Sequence, residues 1–342
     1  MMKIIQKIIF LSFIIGFPVV CHSNINVFAC QPEWGWLADK IGGEHVTTYN
    51  ATNGEQNQHQ INIFPEMLKQ LRGARVIICT GAGIEQRWFP VITKKLDNPL
   101  IVKGQPGHII ISDFVGKTIK QDKFHPKGNP HFHLDPAVVL QVAGVIAQRF
   151  SKINPSNRRF YRKKLTKFKQ EWGALMTEVK SAGALLSGMN VIQYHPSWTY
   201  FLNWLGMKSV GTILPDKNHH ATTRSLGKLA AKLKKQPVTM VIYAKDYKEN
   251  RVIKWFSKKI KQPDCELLLS LNEEKKLLGL GDLYRHNVKL MVDIVRIEQA
   301  KELKKKALEK KRLEKERAEK ELLGLKKLEE LKKSKKPKKN KK

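Results

Sequence analysis

Cysteine is scarce in this chain, which has four cysteines in 342 residues. None of them belongs to a Cys-x-x-Cys pair, so the thiolate spacing of a structural zinc site is absent. So few cysteines also make disulfides a minor source of stability. We interpret Cys30 and Cys79, which both lie in apolar strand-like runs, as buried free thiols, with a disulfide between them as the alternative. Cys265 has no evident partner.

The chain also lacks an apolar run long enough for a membrane span at its start. The apolar residues 8–20 follow two lysines and fall short of the roughly 20 residues that a bilayer requires. A basic start and a short apolar stretch predict a secretory signal peptide at 1–23, cleaved after Ser23. A lipid-modified Cys21 is the alternative, which the bulky valines before it disfavour.

Acidic residues are outnumbered about two to one. The chain has 63 Lys and Arg against 30 Asp and Glu, for a net charge of +33. Such a basic chain favours anionic surroundings, such as lipid headgroups or envelope polymers. Export makes nucleic acid a poor candidate, so we expect no nucleic-acid partner. Part of the charge lies in a Lys/Glu-rich tail at 298–342, predicted to be helical and then disordered, and the larger part is spread over the body.

Strand-like and helical runs alternate twice along the body. This alternation predicts an α/β fold of two lobes, each with a parallel sheet flanked by helices. We expect one lobe at 24–150, a long linking helix at 151–187 and a second lobe at 188–297. The hydrophobic share of 42% is sufficient for real cores in both lobes.

Histidines are the informative polar residues. His59 lies in a loop after a strand, His131 immediately precedes a helix, and His195 directly follows a strand. The carboxyl ends of parallel strands converge on the crevice where such folds bind ligands. Position alone leaves open whether the three histidines are ligands or structural residues.

Several motifs, in order and spacing, resemble the zinc/manganese substrate-binding proteins of ABC importers. The resemblance covers about residues 25–296. Its motifs are Leu-Ala-Asp-Lys-Ile-Gly-Gly at 37–43, the loop histidine at 59, Thr-Gly-Ala-Gly-Ile-Glu-Gln-Arg-Trp at 80–88, Pro-His-Phe-His-Leu-Asp-Pro at 130–136, Asn-Pro-Ser-Asn-Arg-Arg-Phe-Tyr at 154–161, His-Pro-Ser-Trp-Thr-Tyr-Phe at 195–201 and Tyr-Arg-His-Asn-Val-Lys-Leu-Met at 284–291.

The resemblance implies that His59, His131 and His195 bind a divalent metal ion. A histidine at the third position is typical of zinc-type members, and manganese-type members place a carboxylate there. The chemistry agrees, because imidazole suits Zn²⁺ and carboxylates suit Mn²⁺. Zinc is therefore the expected cargo and manganese the second candidate. Since the imidazoles must be neutral to bind, we expect affinity to fall as the pH drops through about 6.

The sequence departs from the family pattern at two positions. Many members supply an aspartate after the late strand, where this chain has Ser270 and Asn272. Glu273 could substitute, and otherwise water takes the fourth position. The tryptophan of the central motif is replaced by His133, which we interpret as a buried ring. The alternatives are that His133 is a spare ligand or that it contacts the metal ligands and holds them in place.

The resemblance implies a periplasmic receptor that captures the ion and delivers it to a membrane permease. We expect a monomer that binds without turnover and is not an enzyme. A zinc hydrolase is disfavoured because no His-Glu-x-x-His motif is present and Glu273 is the only candidate for the general base that it would need. The alternative function is an envelope-binding or adhesive protein that uses the basic tail and carries a degenerate metal site.

Overall fold

The computed structural model describes residues 24–94, 96–116, 121–216, 219–245 and 250–334. The predicted signal peptide and the end of the tail lie outside the described residues. Within them the chain forms two four-stranded parallel sheets, flanked by helices. This confirms the predicted two-lobe α/β fold.

The first sheet has the strand order β2-β1-β3-β4. Every residue of its Val-Ile-Ile-Cys strand β3 is buried, as expected for a parallel strand covered on both faces. The strands are β1 (Ile25–Ala29), β2 (Val46–Asn50), β3 (Val76–Cys79) and β4 (His108–Ile110), and the helices between them are α1 (Pro32–Gly42), α2 (Pro65–Gly73) and α3 (Phe89–Thr93).

The second sheet repeats this topology in the order β6-β5-β7-β8. Its last strand ends at Leu267, and residues 268–272 form a loop beyond it. The strands are β5 (Asn190–Gln193), β6 (Lys208–Thr212), β7 (Met240–Ala244) and β8 (Asp264–Leu267), and the helices are α6 (Thr199–Leu205), α7 (Thr223–Leu233) and α8 (Asn250–Ile260).

Two helices connect the lobes. Helix α4 (Pro136–Ile153) begins with a proline, and the Asp135 side chain accepts a hydrogen bond from the backbone N–H of Ala137 at 2.9 Å. Such a cap satisfies one of the unpaired amides at a helix start. Helix α5 (Arg158–Ala182) follows after a 3-10 turn and spans about 38 Å. The two helices pack against each other, and α5 also packs on α1.

One apolar core is shared between the lobes. It runs from Ile78 in the first sheet through Trp172 of α5 to Ile242 in the second sheet. Smaller clusters fill the outer faces of each sheet. Because the central core is continuous, opening the crevice widely would expose apolar surface, which favours a modest opening.

The interpretation of Cys30 and Cys79 as free thiols was wrong. The two residues form a disulfide, with their Cα atoms 4.8 Å apart. The reason is strand register: Ala29 pairs with Ile78 across neighbouring parallel strands, so the next residue on each strand is brought alongside. Cys265 is a buried free thiol.

The closing helix and the basic tail form one helix. Helix α9 runs from Leu280 to Ser334, 55 residues, and its body-facing part packs on α5. Residues 301–331 are all exposed. Among the residues described, no helix is both long enough and apolar enough to cross a membrane.

Candidate metal centre

A cavity of about 350 Å³ lies between the lobes, beyond the carboxyl ends of the strands. It is where parallel α/β sheets usually bind ligands. The loop after β2, the 3-10 turn before α4, the end of β5 and the loop after β8 all contribute to its wall. The lining residues are Gly54, Gln56, Asn57, Gln58, His59, Ile84, His131, His133, His195, Leu214, Leu269 and Ser270.

Three imidazoles meet between this cavity and a neighbouring one of about 390 Å³: His131 and His195 line the first cavity, and His125 and His195 line the second. One ring nitrogen from each of His125, His131 and His195 lies within 4.8 Å of the other two. The ring centroids are 4.9 Å apart for His125 and His195, and 5.6 Å apart for His125 and His131. Nitrogens this close could share one metal ion with small adjustments, since Zn–N bonds are about 2.0–2.1 Å.

His131 is the most deeply placed of the three. Its side chain is buried, and its Nε2 has no hydrogen-bond partner among the described residues. Burial lowers its pKa well below the ordinary value, and the neighbouring histidines lower it further. A buried polar atom without a partner is costly, so Nε2 is well suited to a metal ion.

His195 is fixed by its own segment. Its Nδ1 lies 2.9 Å from the Ser197 hydroxyl, and this contact orients the ring. Burial, with a smaller contribution from His125, lowers the pKa of His195 to about 3. The ring is therefore neutral, as coordination requires, at pH values far below 6.5. Because the pKa values of His131 and His195 are lowered, we expect the loss of metal affinity at a lower pH than the value of about 6 predicted from the sequence.

Asn129 connects the segments that carry two of the histidines. Its Oδ1 accepts a hydrogen bond from the backbone N–H of His131 at 3.1 Å, and its Nδ2 donates to the carbonyl of Pro196 at 2.8 Å. The Tyr200 hydroxyl donates to the carbonyl of Asn129 at 3.0 Å. Asn129 is fully buried. It thus fixes the first-lobe ligand segment against the second-lobe one.

His125 was not selected from the sequence as a ligand. It lies in the loop before the Pro-His-Phe-His motif and is buried. Its Nδ1 is 3.1 Å from both carboxylate oxygens of Asp122, whose Oδ1 also accepts the backbone N–H of His125 at 2.8 Å. The available signal was the Asp-x-x-His spacing, but the sequence did not indicate that this loop folds over the cavity.

The Asp122 carboxylate is held ionised by these contacts. Burial raises the pKa of Asp122. The hydrogen bonds from His125, the charge of His125 and the hydrogen bond from the backbone N–H of Phe124 together lower it by more, so the pKa lies below its ordinary value. A carboxylate on the distal nitrogen of an imidazole is a common support for metal-binding histidines, because it fixes the ring and raises its basicity.

His59 lies at the mouth of the cavity. It lines the wall together with His131 and His195, yet it is not in the group whose ring nitrogens lie within 4.8 Å. Its ring is open to solvent on one side. Packing on the other side lowers its pKa, and His125 and Arg87 lower it further.

Ser270 and Asn272 lie nearest the place expected for the family aspartate, and both are buried, Ser270 with a fixed hydroxyl. The Ser270 hydroxyl donates to the buried carboxylate of Glu33, which also accepts the backbone N–H of Leu271 at 3.2 Å. Ser270 lines the histidine cavity, whereas Glu273 is exposed and lines a neighbouring cavity. No carboxylate is among the residues that line the histidine cavity.

His133 is a buried ring with a structural contact. Its Nε2 lies 2.7 Å from the carbonyl of Leu269 in the second lobe, and its own carbonyl accepts the Tyr284 hydroxyl at 3.0 Å. The ring packs edge-on against Trp34. His133 therefore supports the turn that carries His131 and ties it to the loop of Ser270.

The fold and the histidine cavity together describe a two-lobe receptor for a metal ion. The family described as "Zinc-uptake complex component A periplasmic" matches residues 27–294, and the chain belongs to this family. It captures a metal ion outside the cytoplasm for an ABC importer, whose membrane permease is its partner.

Individual relatives are distant. The "Metal ABC transporter substrate-binding lipoprotein SloC" of Streptococcus mutans is 23% identical over 80% of this chain and 95% of its own. The "High-affinity zinc uptake system protein ZnuA" of Yersinia pestis is 23% identical over 53% of this chain and 64% of its own.

Solved structures show the same fold. A crystal structure of ZnuA superposes with a TM-score of 0.64, at 20% identity, over 79% of this chain and all of that one. A manganese-bound variant of the periplasmic metal binding protein from candidatus liberibacter asiaticus gives 0.66, at 14% identity, over 79% of this chain and 98% of that one.

Proposed function

We propose that the captured ion is zinc, with manganese as the weaker alternative. The observation that carries this proposal is the set of donor atoms: imidazoles converge on the cavity, and its lining contains no carboxylate. Imidazole nitrogen suits Zn²⁺, whereas Mn²⁺ favours oxygen ligands. The zinc-uptake relative from Yersinia pestis and the family description agree with this choice.

Within the site, His131 and His195 act as the central ligands and His59 as the ligand at the mouth. The unpartnered Nε2 of His131 and the fixed ring of His195 support these roles. The exposed position of Glu273 gives it no support as a ligand, so a fourth position falls to water or to another histidine.

The receptor works by binding and release rather than by turnover, and it is not an enzyme. The two lobes enclose the ion, and the permease docks across both of them. The protein acts as a monomer in the periplasm, released by cleavage at the predicted signal peptide. The lipoprotein nature of SloC keeps a lipid anchor at Cys21 as the alternative.

A competition titration tests zinc against manganese. The exported chain is titrated with each ion in the presence of a chelating dye, beside a variant with alanine at positions 59, 131 and 195. We expect one equivalent of zinc, bound at least about 100-fold more tightly than manganese, and no tight binding in the variant. Equal affinity for the two ions would reject zinc selectivity. Absence of stoichiometric metal in the unaltered chain would reject capture at this cavity.

The tail attaches the receptor to an anionic envelope surface. Residues 301–331 of α9 are all exposed, and this part carries pairs spaced four apart, such as Lys310 with Glu314 and Arg312 with Glu316. Such pairs stabilise an isolated helix. The excess of lysine and arginine then leaves a positive rod that attracts polyanions or anionic lipid. This attachment supplements metal capture and does not replace it.

A further inference from the structure

We propose that His125 is the third inner ligand of the metal ion and that Asp122 is its positioning residue. The inference rests on the proposed capture of zinc at the histidine cavity. It replaces His59 as the third inner ligand and leaves His59 as the ligand that an arriving ion meets first.

The geometry favours His125 over His59. Ring nitrogens of His125, His131 and His195 lie within 4.8 Å of one another, and His59 is outside that group. The His125 side chain is 7% exposed, so a metal ion bound to it is shielded from water. His59, in contrast, faces solvent on one side.

Asp122 fixes which nitrogen of His125 meets the ion. Both carboxylate oxygens lie 3.1 Å from Nδ1, so Nδ1 carries the proton and Nε2 presents its lone pair to the ion. The same carboxylate accepts the backbone amides of Phe124 and His125, each at 2.8 Å, which holds the loop in this conformation. The carboxylate also places one negative charge just behind a set of neutral ligands, which offsets part of the charge of the ion.

A second Asp-x-x-His pair in the chain provides a matched control. Asp216 and His219 have the same spacing, and Nδ1 of His219 lies 2.8 Å from the carboxylate. The His219 side chain is 72% exposed, whereas that of His125 is 7% exposed. The two pairs share their local chemistry, but His125 belongs to the group whose ring nitrogens lie within 4.8 Å, together with His131 and His195, and His219 does not.

The experiment measures zinc affinity by chelator competition in the exported full chain and in four variants. We expect His125→Ala to weaken zinc binding by more than about 100-fold, Asp122→Asn by about 10–100-fold, and His131→Ala to remove tight binding. His219→Ala should leave the affinity within about twofold. Circular dichroism melts without metal check that each variant is folded.

Cobalt(II) supplies a readout that a purely structural role would not change. Its visible spectrum reports the number and geometry of ligands, so His125→Ala should alter the spectrum and Asp122→Asn should change it less. X-ray absorption at the zinc edge of the unaltered chain should fit three or more imidazoles, and it needs no variant to fold.

The outcomes separate this inference from the proposed function. If His125→Ala folds and keeps the original zinc affinity and cobalt spectrum while His131→Ala loses tight binding, His125 is not a ligand and zinc capture stands. If the unaltered chain binds no zinc, the proposed function itself fails. A loss confined to His125→Ala, Asp122→Asn and the central histidines, with His219→Ala unaffected, supports the inference.

Discussion

The two lobes have the same strand order but contribute unequally to the metal cavity. The first lobe brings His59 and His131 to the cavity wall and His125 to the cluster of three histidines, whereas the second lobe brings His195 to both. The first lobe also carries the disulfide beside its sheet end, and Cys265 of the second lobe is a free thiol. The difference predicts that the first lobe holds a partial metal site, which the second lobe completes.

The largest expected effect on zinc affinity tests the unequal contribution of the two lobes. His131→Ala removes a central ligand of the richer lobe and should abolish tight zinc binding, a loss above about 100-fold. His195→Ala should leave weaker but measurable binding, because the ligands of the first lobe remain. Calorimetric titration of both variants measures the difference. Equal residual affinities would show that neither lobe holds a partial metal site.

Loss of the Asn129 hydrogen bonds that link the two lobes is expected to lower zinc affinity by nearly as much. Asn129→Ala removes the hydrogen bonds to His131 and Pro196 without touching a ligand atom. We expect zinc affinity to fall about 10–100-fold, since supporting contacts usually cost that much. Asn203→Ala, an exposed change on α6, serves as the control. Unchanged affinity in Asn129→Ala would mean that the lobes align without this residue.

The disulfide should make the first lobe the more stable support. Changing Cys30 and Cys79 together to serine should lower the free energy of unfolding by about 2–4 kcal/mol, because the link closes a 49-residue separation. Denaturant unfolding measures the change, with Cys265→Ala as a control in the other lobe. If Cys265→Ala lowered the free energy of unfolding by as much, the disulfide would not make the first lobe the more stable one.

Glu85 gives the first lobe a pH-dependent stability. Burial raises its pKa to about 7, against hydrogen bonds from Gln31, Gly81 and Thr80 that favour the charged form. The pKa of Glu85 is higher in the folded state than in the unfolded state, so the contribution of Glu85 to the free energy of unfolding is fully present below about pH 4.5. That contribution, about 3 kcal/mol, is lost as the pH rises through about 7.

The measurement is the difference in unfolding free energy between the unaltered chain and Glu85→Gln across pH 4.5–8. The difference isolates Glu85 from histidines such as His195, whose lowered pKa makes stability fall in the opposite direction, as the pH drops below 6.5. A difference that stays constant over this range would show that Glu85 titrates normally.

The smallest effect is expected from the tail, whose described residues 301–331 are all exposed. Deleting residues 297–342 should change zinc affinity by less than about twofold and should abolish retention on vesicles that contain anionic lipid. Sedimentation with vesicles and a zinc titration of the same sample measure both properties. Loss of zinc binding on deletion would tie the tail to the cavity.

Much of the fold could be predicted from the sequence. The alternation of apolar strands and helices has a fixed period, so the two parallel sheets and the strand-end positions of His59 and His195 followed from local pattern. The disulfide did not follow, because the pairing of Cys30 with Cys79 depends on the register of two strands that are far apart in the chain. The inner position of His125 did not follow either, because a loop has no period that reveals where it folds.

The sequence by itself determined the two lobes, the linking helix, the basic tail and the histidines at the strand ends, because these depend on local periodicity and charge. Only the tertiary structure decided which histidines meet. Asp122 with His125 and Asp216 with His219 are the same local pattern, one in each lobe, yet one is buried beside His131 and the other is exposed. Burial and neighbours arise from chain segments distant in sequence, and these place one histidine beside two others and leave the other exposed.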